Sequence, residues 1–384
     1  MCEFSKSAVR EKRRHALDGL EKNCWQVMGF DKPVLCEGGN YHGIWLECAP
    51  QESLIYGRHV DPRIALNTHE AFFHHQRADG YIPSHIADRI GTSQIQMVVP
   101  IAATAWETFE LTRDGQFLKM AYDACSRWDE WLIRYRNTRK TGLCEAFCLW
   151  DTGYDNGARF DGLPIQCKNN DASLCPDDPR LPYLAPDLSA CLYGGRVALA
   201  KMAATLGRKD DEARWLESAD SVRHAILRHC YDAGDAFFYD VDASGSWIRV
   251  KTELITRVFG EHVVEQAMFD AIYERHIKNP DEFWTPYPIP SVAINDPAFN
   301  REMPLNCWAG PSQALTALRA VRWFEHYGRS DDFGHFMRQW VKGILAADDF
   351  MQQMNPWTGE FSTSPGYSPA MLVFVEFSSR LGLC

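Results

Sequence analysis

The chain has 384 residues, of which 46% are hydrophobic, 24% charged and 12% aromatic, an ordinary composition for a globular protein with a large core. With 40 Lys and Arg against 51 Asp and Glu, its formal charge is −11. No basic cluster offsets this acidity, so a nucleic-acid partner is excluded on electrostatic grounds. The start, Met1-Cys2-Glu3-Phe4-Ser5-Lys6, has no apolar leader core, and the longest apolar stretch, Met97 to Trp106, is far short of a membrane span. Thirteen scattered cysteines, an odd number, read as reduced thiols in a cytoplasmic protein and not as a disulfide framework.

In chain order, helical periodicity predicts helices near 5–28, 47–57, 62–77, 94–112, 115–137, 185–207, 209–230, 261–276, 311–328, 330–347 and 366–381. The clearest is 185–207, where Leu188, Cys191, Leu192, Val197, Met202 and Leu206 form an apolar stripe before the stop at Gly207. Residues 150–165 are ambiguous. The run 236–250 alternates β-prone residues around Asp242-Ala243-Ser244-Gly245 and predicts a hairpin. Residues 279–311 are proline-rich and irregular, yet Phe283, Trp284, Tyr287, Phe299 and Trp308 argue for order. No linker divides the chain, so residues 1–384 read as one all-α domain of eleven or twelve helices with a small β-hairpin insertion.

Common catalytic signatures are missing: there is no phosphate loop, dinucleotide fingerprint or nucleophile elbow. His69 and His74 are five residues apart, which turns the helix about 140° past the face two zinc ligands would share. Cys144 and Cys148 lack a second ligand pair, so no metal and no cofactor is called for. The informative segment is 141–164. It sets Asp151, Asp155, Asp161 and Arg159 among Trp150, Tyr154 and Phe160. Aromatic rings stack on sugar faces, and apolar surroundings raise a carboxyl pKa until it can donate a proton near neutrality. A solvated acidic loop with a structural Asp–Arg pair is the plainer alternative.

Trp-Asp-Thr-Gly-Tyr-Asp-Asn-Gly-Ala-Arg-Phe-Asp (150–161) resembles the Trp-Glu-Ser-Gly-x-Asp-Asn-Ser-Pro-Arg-x-Asp signature of clan G glycoside hydrolases, family 63 and its trehalase relatives. Five further segments follow in the family's order: Tyr41 to Glu47, Gly91 to Gln96, Asp187-Leu188-Ser189-Ala190, the pair Thr285 to Ser291 with Asn306 to Pro311, and Asn355-Pro356-Trp357-Thr358-Gly359-Glu360. The resemblance implies an (α/α)6 toroid and inverting hydrolysis of a small soluble α-glucoside or α-mannoside. It implies Asp155 as general acid, with Asn156 and Arg159 orienting it or binding hydroxyls. Tyr41, Trp45, Trp150, Tyr287, Trp308 and Trp357 are expected to contact sugar, and Glu47 and Gln96 to bond its hydroxyls. The family's base, a Glu four residues before the Pro of Asn-Pro-x-Thr-Gly, is here Gln352. An amide orients water but accepts no proton. Glu360 is the first candidate to take over, with Asp348 and Asp349 nearby. Ala309 and Gln313 replace an Arg and a Trp of the family pattern. The lost base opens two alternatives on the same fold. One is an isomerase, epimerase or dehydratase drawing on His42, His69, His85, Cys48, Cys148 and Cys307; the other is a binding protein without turnover.

Overall fold

A computed structural model describes residues 4–383; Met1–Glu3 and Cys384, at the ends of the predicted domain, lie outside the described residues. Thirteen α-helices form among them: α1 (Lys6–Lys22), α2 (Ala49–His59), α3 (Pro62–His74), α4 (Ile101–Thr112), α5 (Gly115–Tyr135), α6 (Pro186–Thr205), α7 (Lys209–His229), α8 (Leu254–Gly260), α9 (Gln266–Ile272), α10 (Ala314–Arg319), α11 (Val321–Phe324), α12 (Ser330–Ala346) and α13 (Ser368–Arg380). Prolines mark several starts, at N1 or N2 of α2, α3, α6 and α13, where the missing N–H has no intrahelical partner to lose. The predicted helix at 94–112 begins only at Ile101, where Pro100 caps it; residues 94–99 are irregular, with Gln96 at a positive φ of 44°. The predicted 261–276 helix is split, with Glu265 extended ahead of α9 and a wider π turn continuing it to Ile277.

Two kinds of helix are present. Every residue of α8 and α10 is buried, as are residues 49–57 of α2 and 368–378 of α13, so these have no solvent face. By contrast α5, α7 and α12 are amphipathic, with one apolar stripe each. The buried helices, joined by α4 and α6, contact in sequence: α2 with α4, α4 with α6, α6 with α8, α8 with α10, α10 with α13, and α13 back to α2. The amphipathic helices pack outside: α3 on α2, α5 on α4, α7 on α6, and α1 and α12 on α13. Connections of two or three residues between α2 and α3, α4 and α5, and α6 and α7 make these pairs helical hairpins.

Short sheets join the loops. The predicted hairpin forms with Trp247 opposite Val241, its turn tied by Asp242 Oδ1 accepting from the Ser244 and Ser246 amides, both at 2.9 Å. It is less of an insertion than expected, because 240–241 also pairs with Tyr183–Leu184, which pairs with Glu145–Ala146. The ambiguous 150–165 stretch folds as two 3-10 turns, Leu149–Thr152 and Ala158–Phe160. Among the described residues no helix is long and apolar enough to cross a membrane.

Candidate active site

The buried helices deliver residues to one end of the cycle. Glu47 precedes α2, Gln96 precedes α4, Leu315 lies in the first turn of α10 and Tyr367 caps α13. They border a cavity of about 190 Å³ together with Glu37, Tyr41, Trp45, His85, Arg89, Gln94, Trp150, Gly153, Asp155, Trp308 and Gln352. This volume is below the roughly 300–1,000 Å³ of pockets that take drug-sized ligands. A larger cavity of about 490 Å³ lies toward the C-terminal ends of α2 and α10. There Arg58 and Arg322 both pair with Glu107, and Arg322 also with Glu261, so that end is a closed ion-pair network.

The loop bearing Asp155 is fixed from below. Asp151 is fully buried and accepts from the Ile95, Phe147 and Cys148 amides at 2.8, 2.7 and 3.1 Å while pairing with Arg136 at 2.5 Å. Tyr154 Oη donates to Glu253 at 2.7 Å, and the Arg257 guanidinium lies 4.0 Å from the Tyr154 ring centre. Asp155 itself is half-buried, and burial pushes its carboxyl above the ordinary range even though Asn306 and Trp150 bond to it. From it a polar chain crosses the site. Asn306 Nδ2 donates to Asp155 Oδ2 at 3.0 Å, Gln352 Nε2 donates to Asn306 Oδ1 at 2.8 Å, and Tyr41 Oη donates to Gln352 Oε1 at 3.2 Å. Gln352 is thus held as a fixed bridge with both ends of its amide bonded.

Eight of the thirteen residues expected at the site border the cavity: Tyr41, Trp45, Glu47, Gln96, Trp150, Asp155, Trp308 and Gln352. Trp45 stacks on His85 with centroids 5.8 Å apart, and Trp308 meets Tyr154 edge-on at 5.2 Å. The other five do not border it. Glu360, expected to replace the base, is exposed and accepts from Thr358 Oγ1 at 3.3 Å within its own turn. Arg159 is buried, its guanidinium spent on Asp187 and Asp240. Asn156 donates to the Asn306 carbonyl at 2.9 Å and supports the neighbouring loop. Trp357 packs edge-on against Phe299 at 5.5 Å, and Tyr287 packs against the Gly359 turn. His69 is a core residue, bonded to the Ala65 carbonyl at 2.8 Å and Thr104 at 2.9 Å, with burial lowering its pKa to about 4.

Sequence reasoning missed Glu37, Arg89 and Tyr367; it named His85 only for the isomerase alternative and quoted Gln94 and Asn306 within segments without giving them a role. Glu37 carried a signal: it is the lone charge in Pro33-Val34-Leu35-Cys36-Glu37-Gly38-Gly39, the pattern of a buried carboxylate. It is 3% exposed, and Tyr367 Oη donates to it at 2.7 Å. Behind it Glu52 is fully buried with neither carboxylate oxygen bonded to a described partner. Burial pushes Glu52 up to about 8 and Glu47 up to about 7. Each therefore holds a proton that the unfolded chain releases above about pH 4–5. Stability from this source is present below that point and is lost as pH rises toward 8. Glu52→Gln is accordingly expected to raise the melting temperature relative to wild type at pH 8 and to leave it nearly unchanged at pH 5. Equal shifts at the two pH values in a melting series would contradict this.

Gly153 has φ +66°, and a Cβ there would fall 1.6 Å from Glu47 Oε2. The Glu47 carboxylate thus lies flush against the acid-bearing loop, where Gln96 also bonds it. Gly153→Ala is expected to lower kcat/KM at least tenfold by displacing Glu47. It also costs about 1 kcal/mol of backbone strain. Steady-state kinetics with wild-type values would refute this.

Carboxyl groups set among tryptophans in a closed pocket are what glycoside hydrolases use to cleave a sugar bond. Residues 47–368 match the mannosylglycerate hydrolase MGH1-like glycoside hydrolase domain, and the chain belongs to that family. It is similar in fold to the family 63 mannosylglycerate hydrolase of Thermus thermophilus in complex with glucose, with a TM-score of 0.74 and 17% identity over 94% of this chain and 99% of that one. It is also similar to the neutral trehalase of Saccharomyces cerevisiae, with a TM-score of 0.72 and 12% identity over 95% of this chain and 79% of that one. An uncharacterized protein of Borreliella burgdorferi is 20% identical over 220 residues, 53% of this chain and 43% of that protein. The match thus spans less than half of that curated relative.

Proposed function

We propose that this protein is an inverting glycoside hydrolase acting on a small soluble α-glucoside or α-mannoside. The six mutually packed inner helices with their outer partners support an (α/α)6 toroid, and we read residues 1–384 as one such domain. The observation that carries the reading is Asp155: a half-buried carboxyl, raised by its surroundings, at the wall of a cavity that also presents Trp45, Trp150 and Trp308. In this reading a pyranose stacks on the indoles while Glu47 and Gln96 bond its hydroxyls. Asp155 protonates the glycosidic oxygen, and water attacks the anomeric carbon from the opposite face. The limited cavity volume supports one sugar ring in the cleavage subsite with a compact leaving group. The eleven described cysteines are free thiols, which supports a cytoplasmic setting.

The isomerase alternative gains no support from its histidines. Of His42, His69 and His85, only His85 borders the cavity, and His69 is a core residue. The test is a panel of α-glucosides and α-mannosides of small acids, alcohols and sugars incubated with purified protein. Release of free glucose or mannose from at least one member is expected; no release from any member, with deuterium entering a free sugar instead, would overturn the reading.

A further inference from the structure

We propose that Glu37 is the general base of this site, taking the role that Gln352 cannot fill. The inference rests on the hydrolase reading above and names the residue that reading leaves open. An inverting mechanism needs its base across the sugar from the acid, on the side from which water attacks. Two buried carboxylates border the cavity besides Asp155, and their neighbours separate them. Glu47 lies against Gly153 and Gln96, on the acid's own loop. Glu37 is carried by a different segment, just ahead of Tyr41, and is linked to Gln352 through Tyr367 and Tyr41. Tyr367 donates its hydroxyl to Glu37, its amide bonds the Phe350 carbonyl at 3.0 Å, and its ring lies 6.0 Å from Tyr41, whose hydroxyl bonds Gln352. The Glu37 carbonyl also accepts from the Ser368 amide at 2.8 Å, which ties this strap to the start of α13. These contacts connect the Glu37 carboxylate, through two tyrosines, to the position where the family's glutamate would stand.

The surroundings suit proton transfer. Oxygens of Glu37 and Glu52 and the Cys48 sulfur lie within 4.8 Å of one another, so the two carboxyls form a buried pair that titrates together. Burial and the neighbouring Glu52 and Glu47 hold the Glu37 carboxyl well above the ordinary range while Tyr367 donates to it. Glu37 is the member of the pair that faces the cavity, and it acts as base above its own raised pKa. In the reaction, Glu37 takes a proton from water as its oxygen bonds the anomeric carbon. The bond to the leaving oxygen breaks, and that oxygen takes the proton of Asp155. Glu37 ends protonated and Asp155 ionised, and exchange with solvent resets both.

The test uses the full chain with a glycoside that wild type cleaves. Glu37→Gln is expected to lower kcat by about 10²–10⁴-fold, the usual worth of a positioned base, with KM changed only a few-fold. In Glu37→Ala, azide should restore turnover and yield a glycosyl azide of inverted configuration, which a merely structural role would not produce. Should either variant misfold, Glu37→Asp, which only withdraws the carboxylate, is expected to lose at least tenfold in kcat. Turnover of Glu37→Gln within tenfold of wild type, or a folded Glu37→Ala that forms no azide product, would overturn the assignment while leaving the hydrolase reading intact. Absence of cleavage by wild type itself would count against that reading instead.

Discussion

Asp155→Asn is expected to lower kcat on unactivated glycosides by about 10³-fold while leaving the fold and KM nearly unchanged. The amide keeps the size of the carboxyl and can still bond Asn306, so the polar chain to Gln352 and Tyr41 survives. What it lacks is a transferable proton, and a positioned acid is worth about 10²–10⁴-fold in rate. The loss should depend on the leaving group. A glycosyl fluoride or dinitrophenyl glycoside departs without protonation, so the variant should approach wild-type turnover on such substrates. A uniform loss across leaving groups would indicate that Asp155 binds sugar and does not donate a proton. The alkaline limb of the pH–rate profile follows from the same residue: burial raises its pKa, so the proton is retained to higher pH than an ordinary aspartate allows.

The largest stability effect is expected from Arg159→Met. Arg159 is 1% exposed and meets Asp187 through Nη1 and Nη2 at 2.6 and 2.9 Å and Asp240 through Nε and Nη2 at 2.7 and 2.5 Å. Removing it leaves two carboxylates buried, with only Arg257, 3.3 Å from Asp187, to compensate. Breaking a buried ion pair from one side typically costs about 3–5 kcal/mol. Denaturant unfolding should show a loss of that order. A loss below about 1 kcal/mol would mean that water reaches the carboxylates. Asp240 sits in the four-stranded sheet and Asp187 in the first turn of α6, so Arg159 fastens the acid's loop to both. Activity should fall with stability through displacement of Asp155.

This network shows why the sequence was legible in part. The helices were readable because periodicity and proline starts are local: all eleven predicted stretches hold a helix, though 5–28 stops at Lys22 before the strand at Cys24–Trp25, 94–112 starts only at Ile101, 261–276 only at Gln266, and 311–328 holds both α10 and α11. The acid's segment was readable because its aromatics and carboxylates are contiguous. Arg159, quoted from the same segment, was misplaced: a charged residue in a site motif looks alike whether it meets sugar or a buried aspartate, and only Asp187 and Asp240, distant in sequence, decide it. Glu360 was chosen for nearness in sequence to the lost base, yet the turn at Asn355–Glu360 carries it to the surface. Glu37, near the other end of the chain, is tied to the start of α13 through the Ser368 and Tyr367 contacts, and no spacing rule connects those positions.

The central claim is tested most directly by proton NMR of the anomeric signals while wild-type protein cleaves an α-glucoside or α-mannoside, with Asp155→Asn run beside it. The account predicts that the β-anomer of the free sugar appears first and then mutarotates, and that the variant releases none on the same timescale. First appearance of the α-anomer, or undiminished release by Asp155→Asn, would contradict it.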